Sequence, residues 1–285
     1  MNNISSNKFI RILKRLYKRI QSDEVPALGA QLTYYLILSF FPFLIILLTL
    51  VNYTAISSQD IVSQLGTVLP TEAYNIVREI INDIFSPKSD SILSFGIIAT
   101  LWTSSNGVAA IIKGLNKAYD QKDTRSFLKR RGYAIIITIG LTLAILFAFT
   151  MLVFGQILGN NLFSFLGLSN LFKILWNIVR FIFPLLFLIL VFIFFYKWAP
   201  NKPLHIKEVI PGAVFTTIAW ILMSTAFAFY VNNFGTYTKT YGSIGGIIIL
   251  LIWLYLSSIV ILIGGELNAT LAFDKASIID IQNKN

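Results

Sequence analysis

Apolar residues gather in six long runs along this chain, each close to the length of a helix that crosses a hydrocarbon core of roughly 30 Å at a rise of about 1.5 Å per residue. The runs cover 28–51, 92–112, 133–158, 174–196, 209–231 and 244–271. Pro42 and Pro184 fall inside the first and fourth, where either can kink a helix. Two further segments repeat apolar residues at helical spacing. In 4–21, Phe9, Ile10, Leu13, Leu16, Tyr17 and Ile20 form a stripe, and six basic residues fill most other positions. Two readings of this helix stand: it lies on the cytoplasmic membrane surface with its Lys and Arg at anionic headgroups and its apolar stripe sunk into the interface, or it packs on the protein's own cytoplasmic loops. In 60–85, Tyr74, Val77, Ile80, Ile81 and Ile84 follow Pro70 and predict a helical external cap. The expected fold is all-α: a polytopic membrane bundle of six transmembrane helices, with an N-terminal amphipathic interfacial helix and a helical external loop. Its organisation is a basic amphipathic segment (1–27), a transmembrane domain (28–271) and a tail (272–285).

Composition agrees with lipid as the main solvent. At 56% hydrophobic and 13% charged residues, with a mean hydropathy of +0.73, the 285 residues carry too little polar surface to cover a soluble domain. A net charge of +10 would suggest nucleic acid as a partner in a soluble protein. Here 18 of the 23 Lys and Arg sit before the first run, in 113–131, in 197–207 and in the tail. Arg78, Lys88, Lys173 and Lys239 lie on the other side, and Arg180 lies within a run. The positive-inside rule makes the basic side cytoplasmic and puts both termini there. The first 25 residues hold no signal-peptide core, so the first run is expected to act as the targeting signal. Membrane lipids, not nucleic acid, are the expected partners, and the pattern carries no signal of oligomeric state.

Polar groups at membrane depth are the first candidates for chemistry, because each is costly there unless paired or hydrated. Glu266 and Asn268 lie near the cytoplasmic end of the sixth run. Thr103, Ser104, Ser105 and Asn106 lie near that end of the second, and Gln31, Thr33, Tyr34 and Tyr35 near that end of the first. The three groups share one layer. Under a functional reading, Gln31, Tyr35, Ser104, Ser105, Asn106, Glu266 and Asn268 line a substrate or proton pathway open to the cytoplasm, with Glu266 taking a cation, a proton or a polar headgroup. Under a structural reading, Glu266 snorkels or hydrogen-bonds to Gln31 or Asn106, and the other groups tie helices together. Arg180, about two turns below the outer surface, either snorkels or contacts an anion or lipid phosphate. Gly264, Gly265 and Ala269 allow close helix packing, and Trp176, Tyr196 and Trp198 anchor helix ends at the interface.

Enzymatic constellations are lacking in the sequence. The single histidine, His205, has no nucleophile and orienting acid beside it, the 13 acids are scattered, and there is no cysteine and no phosphate-binding loop. Asp23 with Glu24 and Asp120 with Asp123 read as solvated surface pairs. No catalytic residue, metal site or cofactor is expected.

Several stretches together resemble the YihY/virulence factor BrkB family. They are Ala30-Gln-Leu-Thr-Tyr-Tyr running to Ser39-Phe-Phe-Pro42, Leu101-Trp-Thr-Ser-Ser-Asn-Gly107, Gly114-Leu-Asn-Lys-Ala-Tyr-Asp120, and Ala199-Pro-Asn201 before Pro211-Gly-Ala213. They continue with Phe234-Gly-Thr-Tyr-Thr-Lys-Thr-Tyr-Gly242, Leu251-Ile-Trp-Leu-Tyr255 and Gly264-Gly-Glu-Leu-Asn-Ala269, where many members carry Ala at the position of Gly265. The resemblance spans about residues 25 to 270 and implies a bacterial cytoplasmic-membrane protein of six helices. Relatives bear a virulence-factor label, an older ribonuclease label and suggestions of lipid or solute export. The scattered acids argue against the ribonuclease label. The expected function is a transporter or exporter of a lipid or an amphiphilic or polar solute, the alternative a non-transporting scaffold or envelope-integrity factor.

Overall fold

The computed structural model describes residues 2–52, 74, 75, 78, 93–165, 169–234 and 244–282. Among the described residues there are seven α-helices and no strand. They are α1 (Asn2–Ser22), α2 (Val25–Asn52), α3 (Leu93–Ala118), α4 (Phe127–Phe165), α5 (Ser169–Trp198), α6 (Ile206–Phe234) and α7 (Ile244–Gln282). Each apolar run of the sequence falls on one of the last six. The expected external cap over 60–85 lies outside the described residues, apart from Tyr74, Asn75 and Arg78, which are helical. Two segments, Ile206–Asn233 and Gly245–Lys275, are long and apolar enough to cross a membrane, and Val25–Phe40 and Ile182–Trp198 are apolar but shorter.

Local chemistry sets the helix ends at which the polar residues gather. Between α1 and α2 only Asp23 and Glu24 intervene, and Glu24 takes the left-handed conformation (φ 53) that ends one helix and redirects the chain into the next. Asp120 does the same after α3 (φ 54). Its N–H donates to the Lys117 carbonyl at 2.9 Å, and the Gln121 N–H donates to the Asn116 carbonyl at 2.8 Å, the pattern of a Schellman stop. A reciprocal cap opens α6: the His205 N–H donates to the Glu208 carboxylate at 2.8 Å, and the Glu208 N–H donates to the His205 carbonyl at 3.0 Å.

Helices α2 to α7 pack in chain order, each on the next, and α7 closes the ring against α2 while also touching α3. Helix α1 lies on α7. The main core sits toward the end where the α1–α2, α3–α4 and α5–α6 links meet, and it buries Leu32, Ile112, Leu115, Tyr119, Tyr196 and Val209. The contact between α6 and α7 is close. A Cβ on Gly212 would strike the Gly264 carbonyl and the Asn268 amide, and one on Gly264 would strike the Thr216 hydroxyl. The Asn268 amide spans the same gap: its Oδ1 accepts from the Gly212 N–H at 2.6 Å and its Nδ2 donates to the Val209 carbonyl at 3.1 Å. Pro211 supplies no N–H at this turn, and Asn268 binds the backbone on both sides of it. Further along, Trp220 donates to Ser257 at 3.0 Å and Trp253 donates back to Ser224 at 3.1 Å, with the two rings edge to face. Outward, Ile136, Leu143, Phe147, Leu186 and Leu190 are exposed on α4 and α5, an apolar coat of the sort lipid covers.

Candidate functional site

Arginine spacing on α1 explains the first polar cluster. Arg11, Arg15 and Arg19 recur every four residues and so share one face, and that face lies against α7. Arg11 and Arg15 reach Asp274 at 3.1 and 2.5 Å. One turn further on, the Arg19 Nε donates to Glu266 at 2.9 Å. Glu266 is 2% exposed, so its carboxylate depends on this partner. Arg19 also donates to the Ala118 carbonyl, an orphan acceptor in the last turn of α3, and lies over the Phe273 ring. Asp23 and Asp120 complete its surroundings, each at 3.4 Å. Burial works against the Arg19 cation, but the hydrogen bond and charge of Glu266, with the two aspartates, hold its pKa above the ordinary value. Glu266 therefore pairs with α1, neither snorkelling nor bonding to Gln31 or Asn106. Arg11, Arg15 and Arg19 of α1 thus meet acids of the bundle and Leu16 is buried, while Ile10, Leu13 and Tyr17, at 46%, 47% and 67%, are exposed together with Lys14 and Lys18.

A cavity of about 580 Å³ opens elsewhere, among α2, α3 and the start of α4. Gln31 and Tyr35 of α2 and Asn106 of α3 line it, as do Lys113, Asn116 and Lys117 further along α3 and Arg130 and Arg131 of α4. Helical spacing puts Asn106, Ala109, Ala110, Lys113, Asn116 and Lys117 on one wall. Arg131 pins the facing wall: its Nη1 donates to the Asn106 Oδ1 at 2.6 Å, its Nη2 donates to the Trp102 carbonyl, and its guanidinium stacks 4.0 Å over the Trp102 ring. Lys113 donates to the Gln31 Oε1 at 3.3 Å. Asn116 accepts from the Asn201 N–H at 2.6 Å, and Asn201 holds Thr124 at 2.9 Å, so the two polar links after α3 and α5 are fastened to each other at the cavity's edge.

The seven inner-layer candidates thus divide. Gln31, Tyr35 and Asn106 meet in the cavity. Ser105, wholly buried, donates to the Trp102 carbonyl at 2.8 Å, and Ser104 is buried too. Glu266 belongs to the α1–α3–α7 junction and Asn268 to the α6–α7 contact. The helical backbone of α5 carries Arg180, whose side chain lies outside the described residues. Tyr196, read as an interfacial anchor, is fully buried, and its hydroxyl joins Thr216 of α6 at 2.6 Å and donates to the Ile261 carbonyl of α7 at 2.7 Å. Sequence reasoning counted Lys113, Arg130 and Arg131 only as markers of sidedness, took Arg19 as a headgroup contact of the N-terminal helix, and met Asn116 only within the stretch that resembles the family. Their signal was present in register, since 106, 109, 113 and 116 fall on one helical face.

Comparison with known proteins gives this geometry a family. The family model for virulence factor BrkB matches residues 16–283. The chain belongs to the virulence factor BrkB family. Among relatives, the ribonuclease-like protein YfkH of Bacillus subtilis is 45% identical over 91% of this chain and 94% of its own. UPF0761 membrane proteins of Vibrio parahaemolyticus and Tolumonas auensis are 28% and 25% identical, over 92% and 90% of this chain and 82% and 83% of their own. No solved structure matches. This BrkB chain is a membrane protein with apolar helices, and the stretches that resemble the family meet in space. Asn116 of the 114–120 stretch holds Asn201 of the 199–201 stretch, and Asn268 of the 264–269 stretch holds Gly212 of the 211–213 stretch.

Proposed function

We propose that the protein is a multi-pass transporter or exporter of a lipid or an amphiphilic or polar solute, working through the cavity among α2, α3 and α4. The observation that carries this reading is the cavity itself. At about 580 Å³ it has the size of a small-molecule site, and it runs from Tyr35 and Asn106, inside two apolar helices, to the charged end of α4. The same reading takes α2 to α7 as six spans with both termini in the cytoplasm of a bacterial cell, so that the cavity faces inward. The gathering of 18 of the 23 basic residues on that side supports it. The test is reconstitution in liposomes containing dye-labelled phosphatidylglycerol or phosphatidylcholine, or loaded with glycerol 3-phosphate. Movement of at least one cargo is expected, slowed at least about fivefold by Ala110→Trp, which fills the cavity. Rates equal to protein-free vesicles for all three would overturn the reading.

The second reading, a scaffold or envelope-integrity factor, is favoured by the exposed Ile10, Leu13 and Tyr17 stripe on α1. Deleting α1 would also strip Glu266 of its partner, so serine at those three positions is the cleaner change. Loss of cellular function with vesicle transport intact would select the scaffold.

We also infer that the chain is not a nuclease. Among the described residues no three His, Asp or Glu side chains gather as metal ligands would, and His205 is exposed at the start of α6. Purified protein with magnesium or manganese is expected to leave RNA intact.

A further inference from the structure

The cavity wall is rich in donors and poor in negative charge. Lys113, Lys117, Arg130 and Arg131 face one carboxylate, Asp123, and that group is already engaged by the Arg125 Nε and N–H, both at 3.1 Å. Lys117 has a distant partner in Glu24 at 3.7 Å. None of the described ion pairs involves Lys113, Arg130 or Arg131. Two donors in this wall are buried with no acceptor in the protein: the Nε of Arg131 and the Nδ2 of Asn116, a residue only 3% exposed. Burial also lowers the Arg131 pKa, the mark of a desolvated cation without a counter-charge beside it. A group able to satisfy such a wall is negative and carries several acceptor oxygens. The rim adds an apolar element, since Phe127 and Trp102 are 62% and 48% exposed and each adjoins the cationic wall.

We propose that this cavity binds the phosphate-type headgroup of an anionic amphiphile, with the oxygens among Lys113, Asn116, Arg130 and Arg131 and the tail leaving past Phe127 and Trp102. The proposal rests on the reading of this cavity as the cargo site and names the cargo's chemistry. Arg131 and Asn116 offer fixed donors, whereas Lys113 and Arg130, on exposed positions, bring mobile charge.

The experiment is native mass spectrometry of the full-length protein in detergent, titrated with dioleoyl phosphatidylglycerol, dioleoyl phosphatidylcholine and glycerol 3-phosphate. Phosphatidylglycerol is expected to bind at least about tenfold more tightly than phosphatidylcholine, and Arg130→Gln and Lys113→Gln are each expected to reduce that preference by about tenfold, the loss of one charge-assisted hydrogen bond. Both positions are exposed, so folding is not at stake. Lys129→Gln, an exposed change outside the cavity, should alter nothing. Asn116→Asp keeps the acceptor for Asn201 but replaces the unpaired donor with a negative oxygen, and should abolish the preference. Equal affinity for the two lipids, or a preference that survives both Arg130→Gln and Lys113→Gln, overturns the proposal. Glycerol 3-phosphate binding as tightly as the lipid overturns its amphiphile part and leaves a site for a free phosphate ester. Binding is measured here without transport. Inert vesicles would therefore retire the transporter reading alone, and transport without anion preference would retire this inference alone.

Discussion

Glu266 shows what a single carboxylate demands when it is placed among apolar helices. At 2% exposure it is shut off from bulk water, and Arg19, from a helix 247 residues earlier in the chain, supplies the compensating charge. Removing one member of such a pair strands the other, at a cost of about 3 kcal/mol or more, whereas removing both is far milder. Arg19→Met is therefore expected to destabilise the protein strongly, and Arg19→Met with Glu266→Gln to recover most of the loss. Thermal unfolding of the two single variants and the double variant in detergent gives the coupling. Additive effects would mean that the pair contributes nothing. The sequence marked Glu266 as exceptional from its depth, but not its partner. Arginines every four residues make a face whether they meet headgroups or acids, and Asp274, eight residues beyond Glu266, completes a matching stripe only once α1 is laid on α7. Depth also misled in grouping Glu266 with Asn268. Two residues apart on a helix means about 200° around it, so one points to α1 and the other to α6. The same arithmetic separates Ser104 from Asn106, which explains why the cavity took one and packing the other.

Helix pairs are governed by whether small residues sit where backbones cross. Gly212 and Gly264 do, and the atoms a Cβ would meet at Gly212 include a backbone oxygen that cannot turn aside. Gly212→Ala is expected to cost about 1–3 kcal/mol by forcing α6 and α7 apart, and to break the Asn268 bridge with it. On α4, a Cβ added at Gly132 would meet nothing within 4 Å, so Gly132→Ala should be neutral or stabilise by up to about 1 kcal/mol through helix propensity. Unfolding midpoints of the two variants test the contrast, and equal midpoints would contradict it. Apolar run length was enough to read α2 to α7 as helices, because apolar runs of about 20 residues are too long for ordinary strands of about 3–10. Which glycines lie at crossings was not readable, since small residues recur on α3, α4, α6 and α7 alike and only packing distinguishes them. The Trp220–Ser257 and Trp253–Ser224 exchange was hidden for a similar reason: each partner alone is an ordinary residue of a membrane helix.

Across the whole molecule, one end carries both the charge bias and the cavity, and this couples topology to function. The residues counted for sidedness include Lys113, Lys117, Arg130 and Arg131, and the same four surround the cavity. If that end faces the cytoplasm, a cargo made inside the cell meets a cationic mouth. If it faces out, the export reading fails even though every contact within the fold remains. The chain has no cysteine, so single cysteines report cleanly on sidedness. In intact cells, a membrane-impermeant maleimide is expected to leave Lys129→Cys unlabelled and to label Lys239→Cys, with Lys129→Cys becoming reactive once the membrane is opened. The reverse pattern would place the cavity outside and turn the protein from an exporter into a receptor for external anions. Labelling of both from outside would mean that α4 to α6 do not make three crossings, and the ring of six would then have to be reassigned as a bundle only partly in the membrane. Because the charge count and the cavity share their residues, this one measurement bears on both.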